Sequence, residues 1–373
     1  MIILIVGILL LIYGLITHKK FSVSTGILFV LIIMGLQEGV PGDYEEYQMT
    51  FNNGGSDGNS GGSIKITEFT YVWLSTTFSK FMDFHWFVLI TSIIQCAIFA
   101  SLISKYADKR YQYFGVLLIY FTVNIMLLQM KAMRQGYAVD TIILAYLLLD
   151  RRKYILSILA MILAYGFHNS TLVAIPFYLI LLVFYIFQRK LNIVPHKGNH
   201  NSVLVGVISV VALFVFLYFK NFVINDYINP YLLTLDYFEY ANYLEDSSEA
   251  KGIRWWVLLY YAIVMFCTII YFCKETNIFK RYLAVLSILA ILFYLSFFGF
   301  GNLMRLAMFF VPFNAVVFPN VAAMIRESYG KKIALGYVIF NLIFAMKFSV
   351  EQMLSEDYLN GVGFYSYTFS FLK

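Results

Sequence analysis

The chain has 373 residues, 61% of them hydrophobic and 13% charged, an apolar share well above the roughly 45–50% of a soluble domain. A soluble fold is excluded by that composition. A nucleic-acid partner is excluded by how the formal charge of +6 is distributed: six short clusters (18–20, 105–110, 150–153, 188–197, 274–281 and 326–332) carry a net +13, and the rest of the chain carries −7.

Each cluster lies between apolar stretches, so by the positive-inside rule all six face the cytoplasm. A bilayer core about 30 Å thick takes roughly 17–25 helical residues to cross. Twelve segments meet or approach that length: 1–17, 21–38, 84–104, 112–130, 136–150, 153–167, 171–188, 202–220, 255–273, 281–299, 303–325 and 333–349. The first has no basic residues before it and no small-residue cleavage site after it, which predicts a retained span. The fifth and sixth are short, so they cross a thinner bilayer or one is partly re-entrant. The expected architecture is an all-α, polytopic, single integral-membrane domain over 1–373, with both termini outside. Cys96, Cys267 and Cys273 fall in or at the ends of spans and predict no disulfide framework.

Two long outward loops are expected, 39–83 and 221–254. The first contains a run of Gly, Ser, Asn and Asp at 54–62 that cannot bury apolar surface and has the composition of a lid. The second interleaves tyrosines with acidic residues, a pattern of interfacial aromatics or of a sugar-binding platform. No internal repeat is present, and no inward loop is long enough to bind a nucleotide. An enzyme built this way acts on a substrate that reaches the membrane or its outer face.

The outward turns hold the residues with chemistry. Asp43, Tyr44 and Tyr47 follow a Pro-Gly pair after the second span, where Asp43 is either a solvated cap or a general base. Arg134 and Gln135 precede the fifth span; an outward cation runs against the charge rule, and a guanidinium offers phosphate oxygens a bidentate fork. His168, with Asn169 and Ser170, sits in a tight turn between the sixth and seventh spans, and imidazole suits proton transfer near neutrality. Asn302 and Arg305 open the eleventh span, where a charge is costly unless it meets a polar cavity. Asp140, inside the fifth span, is a counter-ion for Arg134 or part of a proton path.

Asp43-Tyr44 with Tyr47, Arg134-Gln135-Gly136, Phe167-His168-Asn169-Ser170 and Arg305 together resemble the EpsG-like branch of the Wzy-type polysaccharide polymerases. The resemblance spans the membrane region. It implies a GT-C-like glycosyltransferase of the bacterial cytoplasmic membrane that polymerises undecaprenyl-diphosphate-linked glycans, donor and acceptor alike, on the outer face, beside a flippase and a chain-length regulator. In that chemistry Arg134 and Arg305 stabilise the departing diphosphate, and His168 or Asp43 accepts the acceptor's proton. Arginines in that role require no metal or other cofactor, although Asp43 with Glu45 or Glu46 leaves room for a divalent cation. A secondary transporter and a membrane O-acyltransferase of surface sugars are the alternatives, the former expected to place its polar groups near the midplane.

Overall fold

A computed structural model describes residues 23–38, 44–54, 68–122, 129–130, 132–191, 202–223, 253–298, 301–353 and 368–369. The expected first span, Asp43, the glycine-rich stretch beyond Gly54 and most of the tyrosine-rich loop lie outside these residues. Two compact units divide the chain, Met1–Ile193 with Phe318–Lys373, and Val194–Val317.

In the first unit α1 (Val23–Gly35) leads through the two-residue strand β1 (Gln37–Glu38) to α2 (Tyr44–Asn52) and α3 (Phe69–Phe78). Then come α4 (Phe84–Tyr106), α5 (Gln112–Phe121), α6 (Met133–Asp150), α7 (Tyr154–Phe167), a 3-10 turn (Asn169–Val173) and α8 (Ile175–Leu191). The second unit holds α9 (Ser202–Val223), α10 (Trp255–Lys274), α11 (Ile278–Ser296) and 3-10 segments at Gly301–Phe309 and Val311–Phe313. Helix α12 (Asn314–Tyr329) begins there and continues into the first unit, followed by α13 (Lys331–Met353) and by β2 (Thr368–Phe369), which pairs antiparallel with β1.

The side-chain pattern is that of a protein in lipid. Along α7, Ile155, Leu156, Leu159 and Ile162 are exposed, while the small residues Ser157, Ala160 and Ala164 are buried against α6. Water offers no reason to turn such a helix apolar side out; hydrocarbon does, and small residues on the inner face let backbones approach closely. That approach lets Ser157 Oγ donate to the Ala145 carbonyl at 2.7 Å, with Tyr178 Oη 2.8 Å away. Among the described residues α4, α10 and α11 are long and apolar enough to cross a bilayer by themselves. The protein is a helical membrane protein.

Three expectations change. The span at 112–130 is not one helix: α5 stops at Phe121, where Thr122 turns to an extended conformation. The span at 303–325 is broken into two 3-10 segments before α12, because Pro312 removes a backbone donor and disfavours a helical conformation in the residue before it. Finally, the stretch 39–83 is not merely a flexible loop. It contains α2 and α3, whose Tyr44, Tyr47, Phe51 and Tyr71 are almost completely buried against the spans, as shown by ring contacts such as Phe51–Phe87 at 4.9 Å.

Candidate active site

The N-terminal end of α6 is where the sequence motifs meet. Arg134 lies in its first turn, half-buried, and pairs through Nη1 with the carboxylate of Glu68, the residue that precedes α3. The guanidinium also stands over the ring of Tyr47 on α2, 5.3 Å from its centroid, a cation–π placement. Glu46 adds a second negative field from the same helix. Tyr47 also hydrogen-bonds the guanidinium, and Arg134 Nε is buried with no hydrogen-bond partner among the described residues.

Aromatic rings carry the site inward. Tyr47 meets Tyr71 edge-on at 5.6 Å, Tyr71 stacks on Tyr137 at 6.4 Å, and Tyr137 meets Phe167 at 5.6 Å. Burial pushes the Tyr71 phenol well above its ordinary range, so it stays protonated. Tyr44 Oη donates to the Gln37 carbonyl at 3.3 Å, fixing the start of α2 beside β1.

His168 is brought to this neighbourhood by close packing. A Cβ on Gly166 would fall 2.1 Å from Thr70 Oγ1 and 2.6 Å from the Phe69 ring, so only glycine lets the end of α7 press against α3. Thr70 Oγ1 donates to the Leu163 carbonyl at 3.2 Å across the same contact. The half-buried His168 then accepts the Ser170 N–H on Nδ1 at 3.2 Å, capping the 3-10 turn. This bond uses Nδ1 as acceptor and leaves Nε2 as the nitrogen that carries the proton in the neutral ring. Asn169 Oδ1 is buried with no partner.

The motif's other members have different roles. Gln135 is buried and, one residue on in the helix, turns about 100° away from Arg134. Gly136 is required by an approach of Gln129, whose Cα would lie 2.8 Å from an added Cβ. Asp140 is not the counter-ion of Arg134. It is 2% exposed and takes both its hydrogen bonds, at 2.8 and 2.9 Å, from Gln129 Nε2. Arg305 lies on the 3-10 segment Gly301–Phe309 of the other unit, exposed, with Asn302 in the same segment. Asp43 is outside the described residues.

Glu68, Thr70 and Tyr137 were missed by sequence reasoning. Glu68 had a readable signal: it is the last charged residue before an aromatic-rich stretch with no charge until Lys80.

The model of the EpsG family matches residues 20–369. Neither curated proteins nor solved structures yield a match. Since that match takes in both units and every motif around Arg134 and His168, the chain belongs to the EpsG family, a Wzy-like family of polysaccharide polymerases.

Proposed function

We propose that this chain is a membrane glycosyltransferase that joins undecaprenyl-diphosphate-linked oligosaccharides on the outer face of the bacterial cytoplasmic membrane, using about twelve spans arranged in a GT-C-like way. The observation that carries this reading is the half-buried guanidinium of Arg134, whose Nε has no hydrogen-bond partner among the described residues, at a helix end that also receives the His168 turn through Gly166. A guanidinium donor without a partner is suited to an anionic oxygen, and a diphosphate supplies several.

In the reaction the acceptor hydroxyl loses its proton to His168 Nδ1, which must first release the Ser170 N–H because Nε2 carries the neutral ring's proton, and attacks the anomeric carbon of the donor. The bond from that carbon to the diphosphate oxygen breaks, and the diphosphate leaves with the electron pair into the field of Arg134. Tyr47 and Tyr44, almost completely buried, support the substrate site from beneath, Tyr47 through its ring under Arg134, and Asn169 and Ser170 line the turn that holds the base. Arg305 and Asn302 are the candidate diphosphate and sugar contacts of the second unit, and Asp43 remains the rival base. A flippase delivers the substrate and a chain-length regulator limits the product. No cofactor is required by this scheme.

The charge split of +13 against −7 supports the orientation; a cysteine placed at Asn59 in a cysteine-free background is expected to react with an impermeant reagent in intact cells. For the chemistry, purified protein given a synthetic lipid-diphosphate repeat unit is expected to yield a ladder of polymer. His168→Ala is expected to abolish it while donor binding survives. A His168→Ala protein that polymerises at the wild-type rate, with Asp43→Asn inactive, would transfer the base role to Asp43.

A further inference from the structure

A cavity of about 150 Å³ lies beside the Arg134 cluster, between α4 and α6 and beneath the end of α3. Its long wall is a stripe of α4, Ile90, Ile94 and Ile98, set four residues apart so that they form one straight ridge. From Phe87 to Ile98 the lining runs about 16 Å along the helix axis. Leu74 and Phe78 of α3 and Met82 close one end. Ile90 and Ile94 are also 38% and 54% exposed, so the groove opens sideways, on the flank of α4 whose neighbours Trp86 and Ile93 are bare apolar side chains.

The groove and the Arg134 site share a wall. Tyr137, which lines the cavity, lies three residues beyond Arg134 and stacks on Tyr71 at 6.4 Å. Tyr71 in turn meets Tyr47, whose ring lies under the guanidinium. A row of buried rings therefore joins the cation to the wall of the groove, and the apolar trough begins about one helical turn along α6 from Arg134. Asp140 is also on the lining, with both carboxylate oxygens accepting from Gln129 Nε2. A site with a cation at its head and an apolar, laterally open trough below suits an amphiphile with an anionic head and one long hydrocarbon chain.

We propose that this groove is the subsite for the proximal part of the isoprenoid chain of the lipid-diphosphate donor, entering sideways from the bilayer while the diphosphate meets Arg134. The assignment rests on the polymerase reading above. Chain contacts in the groove add apolar burial to the donor, so discrimination by chain length is its signature.

The experiment compares two donors that carry the same repeat unit and diphosphate, one on an undecaprenyl chain and one on a short prenyl chain too small to fill the trough. Wild-type protein is expected to use the long-chain donor roughly tenfold better or more in kcat/KM, a preference set by buried hydrocarbon. Ile94→Trp, which fills the trough, is expected to bring that ratio close to one. Ile93→Trp, the same ring one residue away on the exposed flank, is expected to keep it. In parallel, a prenyl diphosphate bearing a diazirine on its chain is expected to label α4 between Phe87 and Ile98 in wild-type protein, whether or not the Trp variant folds, and undecaprenyl diphosphate is expected to compete the label away. Equal use of both donors by wild-type protein, or labelling that a diazirine phospholipid reproduces and undecaprenyl diphosphate does not displace, would overturn the subsite. Polymerisation of neither donor would instead sink the polymerase reading, and the subsite with it.

Discussion

The two ends of α6 are both charged and both paired, and they are built in opposite ways. At the C-terminal end Asp150 receives hydrogen bonds from Lys105 Nζ at 2.7 Å, from Tyr106 Oη and from Tyr185 Oη at 3.0 Å. These partners come from α4 and α8, long helices that flank α6. At the N-terminal end Arg134 has one carboxylate, from a residue between helices, and keeps an unpartnered Nε. A charge with three donors on neighbouring helices is a pin. A charge left with spare hydrogen-bonding capacity is a site, and the difference lies less in the charged residue than in how completely its neighbours satisfy it.

The largest expected effect breaks the N-terminal end. Arg134→Ala is expected to lower polymerising activity by about 100-fold or more, the loss typical for one donor to a departing anion, with Arg134→Lys intermediate because it keeps the charge and loses the fork. Polymer yield per unit of membrane-inserted protein is the measurement, and wild-type yield from the Ala variant would remove Arg134 from the site.

Breaking the C-terminal end is expected to act on stability. Asp150→Asn keeps the shape and removes the charge, at a cost of roughly 1–3 kcal/mol for the weakened bonds from Lys105, Tyr106 and Tyr185. A lower melting temperature in detergent with unchanged activity per folded molecule is expected. Lost activity at full stability would instead make this end part of the reaction.

The smallest effect sharpens the comparison. If Glu68 holds Arg134 only until the donor arrives, Glu68→Gln removes a competing anion, and KM for the lipid diphosphate is expected to fall a few-fold, about 1 kcal/mol. A role confined to structure would move KM upward or leave it unchanged.

Much of this arrangement was legible in the sequence, and its gaps have physical causes. Hydrophobic length located α4, α10 and α11 to within three residues at each end, because lipid imposes one requirement of length and apolarity on every span. The motif Arg134-Gln135-Gly136 was visible as an outward cation, since a charge out of place is rare enough to notice. Of the two roles left open for Asp140, counter-ion of Arg134 or part of a proton path, the first fails, because local spacing cannot reveal a contact such as Arg134–Glu68 across 66 residues. Helices α2 and α3 were hidden for a related reason: a Gly/Ser-rich run dominates the composition of 39–83, while the buried rings on either side act only once tertiary packing gives them partners. The break before α12 was written in Pro312 and was overlooked in an otherwise continuous apolar run.

The Glu68–Arg134 pair also bears on what the protein ignores. A bilayer surrounds the N-terminal end of α6 with phospholipid headgroups carrying a single negative charge, at far higher concentration than any sugar-bearing lipid. An unpaired guanidinium there would be occupied by them continually. Because Glu68 already supplies one negative charge in a half-buried setting, a singly charged headgroup that displaces it exchanges like for like and still has to desolvate, whereas a diphosphate brings more charge than it removes. On the proposed reading the internal carboxylate thus sets a threshold of charge that a singly charged headgroup does not pass and a diphosphate does.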